Sequence, residues 1–184
     1  MRVIGGTKRG ERLLEIQDRR IRPMRDQVRT ALFNIIREVV EGSRFLDLFA
    51  GTGSVGIEAL SRGAKECTFV DNLSEAVQLV RMNLAKLDLL GRARVYQLDV
   101  FEALARFERR GRKFDLIFVG PPYGQALAGQ TLERLGTLSI IEDDGFVITE
   151  IFKKERAELY GGLSLIRERR YGDNLILLYR REQS

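Results

Sequence analysis

Apolar residues in this chain follow two rhythms that take turns. From residue 44 onward, short apolar runs bounded by Gly, Asp or Pro alternate with stretches in which apolar residues recur every three or four positions. The runs at 44–50, 66–72, 93–100, 114–120 and 145–151 predict strands. The stretches at 55–62, 74–89, 101–109 and 127–138 predict helices, with Ser74 as an N-cap, and a short helix is expected at 153–158. Residues 163–170 and 174–180 predict a closing hairpin around Tyr171-Gly172-Asp173. Strict strand–helix alternation implies an α/β fold with a doubly wound, mostly parallel sheet of seven strands and right-handed crossovers. The C-terminal hairpin requires one antiparallel strand at or near an edge.

The first 43 residues read differently. Residues 1–4 and 12–16 predict a small N-terminal β-hairpin whose turn, Gly5-Gly6-Thr7-Lys8-Arg9-Gly10, projects a basic tip. A connector at 18–22 leads to Pro23. Val28, Leu32, Ile35, Ile36 and Val39 then predict a helix from about Asp26 to near Gly42. The expected organisation is a basic arm, residues 1–22, on one domain, residues 23–184.

Charge sharpens that division. Residues 1–30 hold nine Lys and Arg against four acids, and the remaining residues hold 22 of each sign, so the whole excess of +5 lies in the first sixth of the chain. Such a run is either a solvated face or a grip for a polyanion, most simply nucleic acid. One cysteine, Cys67, and no histidine argue against a zinc site and a His-dependent nucleophile. There is no apolar run near the roughly 20 residues that cross a bilayer and no apolar core of a signal peptide, so a reducing, cytoplasmic location without a membrane is expected.

In a parallel sheet of this kind ligands lie beyond the carboxyl ends of the strands. The first strand carries Asp47 and runs into Gly51-Thr52-Gly53-Ser54-Val55-Gly56, where glycines allow a sharp turn and leave backbone N–H groups free at a helix start. The second ends at Asp71-Asn72, and Asp71 stands 20 residues beyond Gly51, a spacing that suits the hydroxyls of a ribose. The third ends at Asp99-Val100, where a carboxylate can accept from an adenine amino group. The fourth ends in Gly120-Pro121-Pro122-Tyr123, and the fifth at Glu150. The alternative for each is an ordinary surface aspartate at a strand end, a reading that weighs more for Asp99 than for Asp71. Asp47 lies inside an apolar strand, so it requires a bound ammonium or a ring of backbone N–H groups.

The literal G-x-G-x-x-G match alone would point to a nicotinamide or flavin oxidoreductase. The diproline turn favours another chemistry. Two prolines fix a main-chain carbonyl toward the cleft, and an aromatic neighbour stacks on a flat base. Attack of a base amine on a methyl sulfonium then needs positioning and no protein nucleophile.

These residues together resemble the class I S-adenosylmethionine-dependent methyltransferases, and more narrowly the RsmD family of ribosomal RNA (guanine-N2) methyltransferases. Arg2-Val3-Ile4-Gly5-Gly6 with Arg9-Gly10, then Arg22-Pro23 with Asp26, Val28, Arg29 and Leu32-Phe33-Asn34, and Leu46-Asp47-Leu48-Phe49-Ala50-Gly51-Thr52-Gly53 with Gly56 and Glu58 carry the resemblance. It implies a Rossmann-like methyltransferase sheet and S-adenosyl-L-methionine as cofactor. Asp47, Phe49, Gly51, Thr52, Gly53, Asp71, Asn72, Asp99 and Val100 would hold that cofactor. Gly120, Pro121, Pro122 and Tyr123 would frame a flipped guanine, and Arg2, Lys8, Arg9, Arg12, Arg22, Arg25 and Arg29 would grip RNA phosphates. The implied partner is ribosomal RNA or the assembling small subunit, met by a monomer. Two positions depart from the family pattern: Gly120 stands where an aspartate precedes the prolines, and Met24 where a threonine follows Arg22-Pro23. Loss of that carboxylate leaves open a weakened enzyme or a non-catalytic RNA-binding protein on the same fold.

Overall fold

The computed structural model describes residues 1–16, 18, 24–122, 126–155 and 160–182. Seven strands form one sheet: β1 (Arg44–Leu48), β2 (Glu66–Asp71), β3 (Ala93–Gln97), β4 (Phe114–Val119), β5 (Ile141–Phe152), β6 (Leu163–Tyr171) and β7 (Asn174–Arg181). Their order is β3-β2-β1-β4-β5-β7-β6. The first five are mutually parallel, and β7 runs antiparallel to both of its neighbours. The predicted hairpin is present, with β7 inserted beside β5 and β6 left on the edge. Composition explains the choice. Leu175, Ile176, Leu177, Leu178 and Tyr179 are all buried, so β7 needs cover on both faces. β6 exposes most of its length, including Arg167, Arg169 and Arg170, which suits an edge.

Helices α1 (Asp26–Ile35), α2 (Ser54–Ser61), α3 (Ser74–Lys86), α4 (Val100–Arg109) and α5 (Leu127–Gly136) cover the two faces. One core layer joins Leu32 and Phe33 of α1, Ile57 and Leu60 of α2 and Val80 of α3 to Phe45, Phe69 and Phe118. The other joins Leu104 and Phe107 of α4 and Leu132 of α5 to Leu46, Ile117 and Val147. Gly56 sets the closeness of α2 to the sheet, because a Cβ there would lie 2.3 Å from the Phe69 ring and 2.6 Å from the Cys67 sulfur.

Several boundaries differ from expectation. α1 ends at Ile35 and residues 36–42 follow as turns. β5 begins at Ile141, earlier than predicted, and only a 3-10 turn at Lys153–Glu155 represents the helix expected after it within the described residues. Ser74 is the first residue of α3, whose N-cap is Leu73; the Asp71 carboxylate accepts from Leu73 N at 3.0 Å and supplies the entry bond.

The N-terminal segment is a hairpin in outline but not a projecting one. Arg2 and Arg12 form a single antiparallel bridge, and a 3-10 turn spans Gly6–Lys8. Val3 and Leu13 are buried in the α1–α2–α3 layer. The Glu58 carboxylate of α2 accepts from Ile4 N at 2.8 Å and Gly5 N at 2.7 Å. The turn that was expected to stand clear lies on the end of α2: Lys8 N donates to Ser61 Oγ at 2.9 Å, and a Cβ on Gly6 would fall 1.9 Å from the Ser61 carbonyl oxygen.

Candidate active site

The carboxyl ends of β1 and β4 are neighbours, with Leu48 beside Val119. The chain therefore leaves the sheet at one rim twice in adjacent positions, through residues 49–53 after β1 and through Gly120-Pro121-Pro122 after β4. Asp71, the last residue of β2, with Asn72, and Asp99 beyond β3, stand along the same rim. Tyr123 lies outside the described residues. Pro121 is buried and Pro122 exposed.

The turn after β1 is held in an unusual backbone form. Gly51 and Gly53 have φ of +54° and +76°, and Phe49, which has a side chain, has φ of +64°. Positive φ in a bulky residue costs energy and tends to persist where a site requires it. The turn is braced from three sides. Ala50 N donates to Val70 O at 2.9 Å and Gly53 N to Ala50 O at 2.8 Å. Gly51 N donates to Asp71 Oδ2 at 2.8 Å, and Asn83 Nδ2 donates to Thr52 O at 3.3 Å. Asn83 was not singled out in the sequence; it is fully buried on α3 and also exchanges hydrogen bonds with both backbone groups of Leu14. It thus ties the glycine turn to the N-terminal segment.

Asp47 is 1% exposed. Among the described residues its carboxylate receives one hydrogen bond, from Gly56 N at 2.9 Å. Burial, opposed by that bond and reinforced by Asp71, pushes its pKa up to about 8. The expected ring of N–H donors is therefore a single donor, and a positively charged group placed at the turn would restore the charged form. Asp71 is half-buried and braces both Gly51 and Leu73; each carboxylate oxygen keeps a lone pair for a further donor. Asn72 is exposed beside it. Asp99 is exposed and caps α4, accepting from Phe101 N at 2.8 Å. Val100 is buried behind it. A half-buried carboxylate, Asp71, a buried acid, Asp47, behind the turn and a close glycine backbone are chemically suited to a cationic nucleoside cofactor.

The expected basic grip divides. Arg2, Arg9, Arg12 and Arg25 are exposed, Lys8 is half-buried and Arg22 lies outside the described residues. Arg29 is a correction: it is 0% exposed. Its guanidinium donates to the Arg2 carbonyl and to Asp26 Oδ1. Burial lowers its pKa, with Glu58 and Asp26 opposing. Its guanidinium lies inside the joint between α1, α2 and the N-terminal segment, with no surface left for a phosphate to touch.

Fold and site define a class. A seven-stranded sheet with an antiparallel seventh strand between the fifth and sixth, and a glycine turn after the first strand, is a methyltransferase-like α/β fold; it departs from the 3-2-1-4-5-6 order of dinucleotide-binding sheets. Within that class, a family model described as conserved hypothetical protein 95 matches residues 1–180, and the chain belongs to this family, the RsmD family. YlbH of Bacillus subtilis is 38% identical over 182 residues, covering 98% of this chain and 99% of YlbH. The Escherichia coli K12 protein named ribosomal RNA small subunit methyltransferase D is 34% identical, with 99% of this chain and 90% of the relative covered. Among solved structures, yhhF of Escherichia coli superposes with a TM-score of 0.86 at 32% identity, covering 99% and 98% of the two chains. The hypothetical protein TTHA0928 of Thermus thermophilus gives 0.84 at 33%, covering 97% and 98%.

Proposed function

We propose that this protein transfers a methyl group from S-adenosyl-L-methionine to the exocyclic N2 of a guanine in small-subunit (16S) ribosomal RNA. The observation that carries the reading is adjacency. The strained glycine turn after β1 and the diproline corner after β4 leave neighbouring strands at one rim, in a chain 34% identical to a ribosomal RNA small subunit methyltransferase over nearly its whole length.

When bound, the cofactor supplies an electrophilic methyl on a sulfonium. In this reading the residues 49–53 hold its methionine part, with Asp47 facing the ammonium, Asp71 takes the ribose hydroxyls and Asp99 faces the adenine. A main-chain carbonyl at the Gly120-Pro121 corner accepts one N–H of the guanine amine and fixes its approach; Pro121, lacking an N–H and locked in φ, keeps that corner rigid. Tyr123 stacks on the flipped base. Arg2, Lys8, Arg9, Arg12, Arg22 and Arg25 meet RNA phosphates. The partner is ribosomal RNA or the assembling subunit, the acting form a monomer, and the location the cytoplasm.

The test is label transfer from radiolabelled cofactor to unmodified small-subunit rRNA or its assembling particle, followed by nucleoside analysis. N2-methylguanosine is expected. A sample that binds cofactor and transfers no label refutes the catalytic reading. Gly120 favours one alternative, a non-catalytic RNA-binding or assembly protein on this fold; transfer that appears only in Gly120→Asp would establish it.

A further inference from the structure

The corner after β4 lacks a side-chain carboxylate at position 120, yet the sheet brings another carboxylate to the same place. The β4–β5 register runs through Val119 beside Thr149. Each strand's next residue beyond that last pair is Gly120, where β4 has ended, and Glu150, two residues short of the end of β5; continuing the register sets them side by side. Facing follows from the alternation of a strand. Phe118 of β4 and Ile148 of β5 belong to the layer under α1, so Gly120 and Glu150 face that side too. Two contacts agree. Glu150 pairs across β7 with Ile176, a member of that layer. A Cβ built on Gly120 would meet the Phe118 ring at 2.5 Å.

Glu150 is 7% exposed. Asn174, at the start of β7, donates from Nδ2 to Glu150 Oε1, which steers the carboxylate; the two oxygens of a carboxylate together offer about four acceptor positions. A buried, oriented carboxylate on the neighbouring strand is what a base amine at the diproline corner would meet where position 120 offers only hydrogen.

We infer that Glu150 is a further catalytic residue, the carboxylate that accepts a hydrogen bond from the exocyclic amine at the Gly120-Pro121-Pro122 corner. The inference rests on the methyl-transfer reading above. The amine lone pair forms the new N–C bond, the electron pair of the broken C–S bond stays on sulfur, and one amine proton passes to Glu150 and on to water. No further reactant is needed. Asn174 acts as a positioning residue.

Two measurements test this. Adjacency is read by thermal melting, without cofactor or RNA. Gly120→Asp sets a second carboxylate beside Glu150, and like charges on neighbouring strands repel. Its loss of Tm should be larger in the wild-type background than in Glu150→Gln, by about 2–4 °C in a chain of this size. The Phe118 ring must shift in both backgrounds, so that cost cancels in the cycle. Chemistry is read by label transfer: Glu150→Gln should lower kcat about 10- to 100-fold, with Tm, KM for RNA and affinity for S-adenosylhomocysteine retained, and Glu150→Asp should recover part of the loss. Additive melting effects overturn the inference, as does Glu150→Gln with normal kcat. So does a loss of activity that comes with equal losses of Tm and cofactor affinity, which marks a structural residue. A wild-type chain that binds cofactor but transfers no label fails the function proposed above and takes the catalytic role with it; the melting cycle still reports the adjacency by itself.

Discussion

Asp47 should make the stability of the free protein depend on pH in an uncommon direction. The carboxyl sits inside β1, 1% exposed, with Gly56 N as its hydrogen-bond donor, and burial lifts its pKa from an ordinary 3.8 to about 8. The sign follows from proton counting. Between those values the folded state keeps the proton and the unfolded state has lost it, so folding takes up a proton and stability falls as pH rises. The fall begins above the unfolded value near 4, proceeds at roughly 1.4 kcal/mol per pH unit, and levels off above about 8. Between pH 5 and 7 this single group should remove roughly 2–3 kcal/mol, or about 4–12 °C in Tm for a domain of this length.

Asp47→Asn isolates that contribution. The amide oxygen can still accept from Gly56 N, and its unpartnered NH2 imposes a pH-independent penalty of about 1–3 kcal/mol. The experiment is a pair of melting series from pH 5 to 8.5 without ligand. The two Tm curves should converge as pH rises, the wild type losing its advantage. Asp115 does not confuse the comparison: its hydrogen bonds from Arg44 hold its pKa below the ordinary value, so its contribution is lost only at more acid pH, and it is common to both proteins. Parallel curves would refute the reasoning, because they would mean that Asp47 is already ionised and solvated in the free protein.

Two further predictions separate surface charge from buried charge and test the docked turn. Arg9→Ala, an exposed change, should weaken RNA binding and reduce the salt slope of log K by about 1 with Tm unchanged; Arg29→Ala should instead lower Tm by removing the link from α1 to the Arg2 carbonyl, and equal effects of the two on salt slope would contradict the burial of Arg29. Gly6→Ala should destabilise the chain by about 1–3 kcal/mol in denaturant unfolding, through positive φ and the collision with Ser61 O; an unchanged midpoint would show that the segment does not dock on α2.

Local rhythm carried most of the fold into view. The first four parallel strands are short runs that each lead to a helix, and the glycine turn, Asp71 and the diproline corner all stand at or just beyond a strand end. The features that escaped depend on partners far along the chain. Nothing near Arg29 announces that Glu58 and the first five residues close over it, because the enclosing groups come from α2 and from the N-terminus. The same enclosure turns the basic tip from a projection into a contact, since Glu58 accepts the two backbone N–H groups that a free hairpin would leave to water. Asn83 escaped for a like reason: a polar residue amid an amphipathic helix looks like its solvent face until Leu14 and Thr52 are seen to use it.

The order of the last two strands was within reach. Five consecutive apolar residues from Leu175 to Tyr179 cannot sit at an edge with one face in water, whereas β6 alternates little and carries Arg167, Arg169 and Arg170. Asking which strand of the hairpin tolerates exposure puts β7 against β5 on composition alone. That placement has a consequence at the rim. Because β7 runs antiparallel, its first residue, Asn174, rather than its last, arrives beside the carboxyl end of β5, and so an amide stands next to Glu150 where a parallel seventh strand would have brought its other end. The reversal of one strand, forced by where apolar side chains can be buried, is thus what supplies the group that orients a carboxylate at the diproline corner.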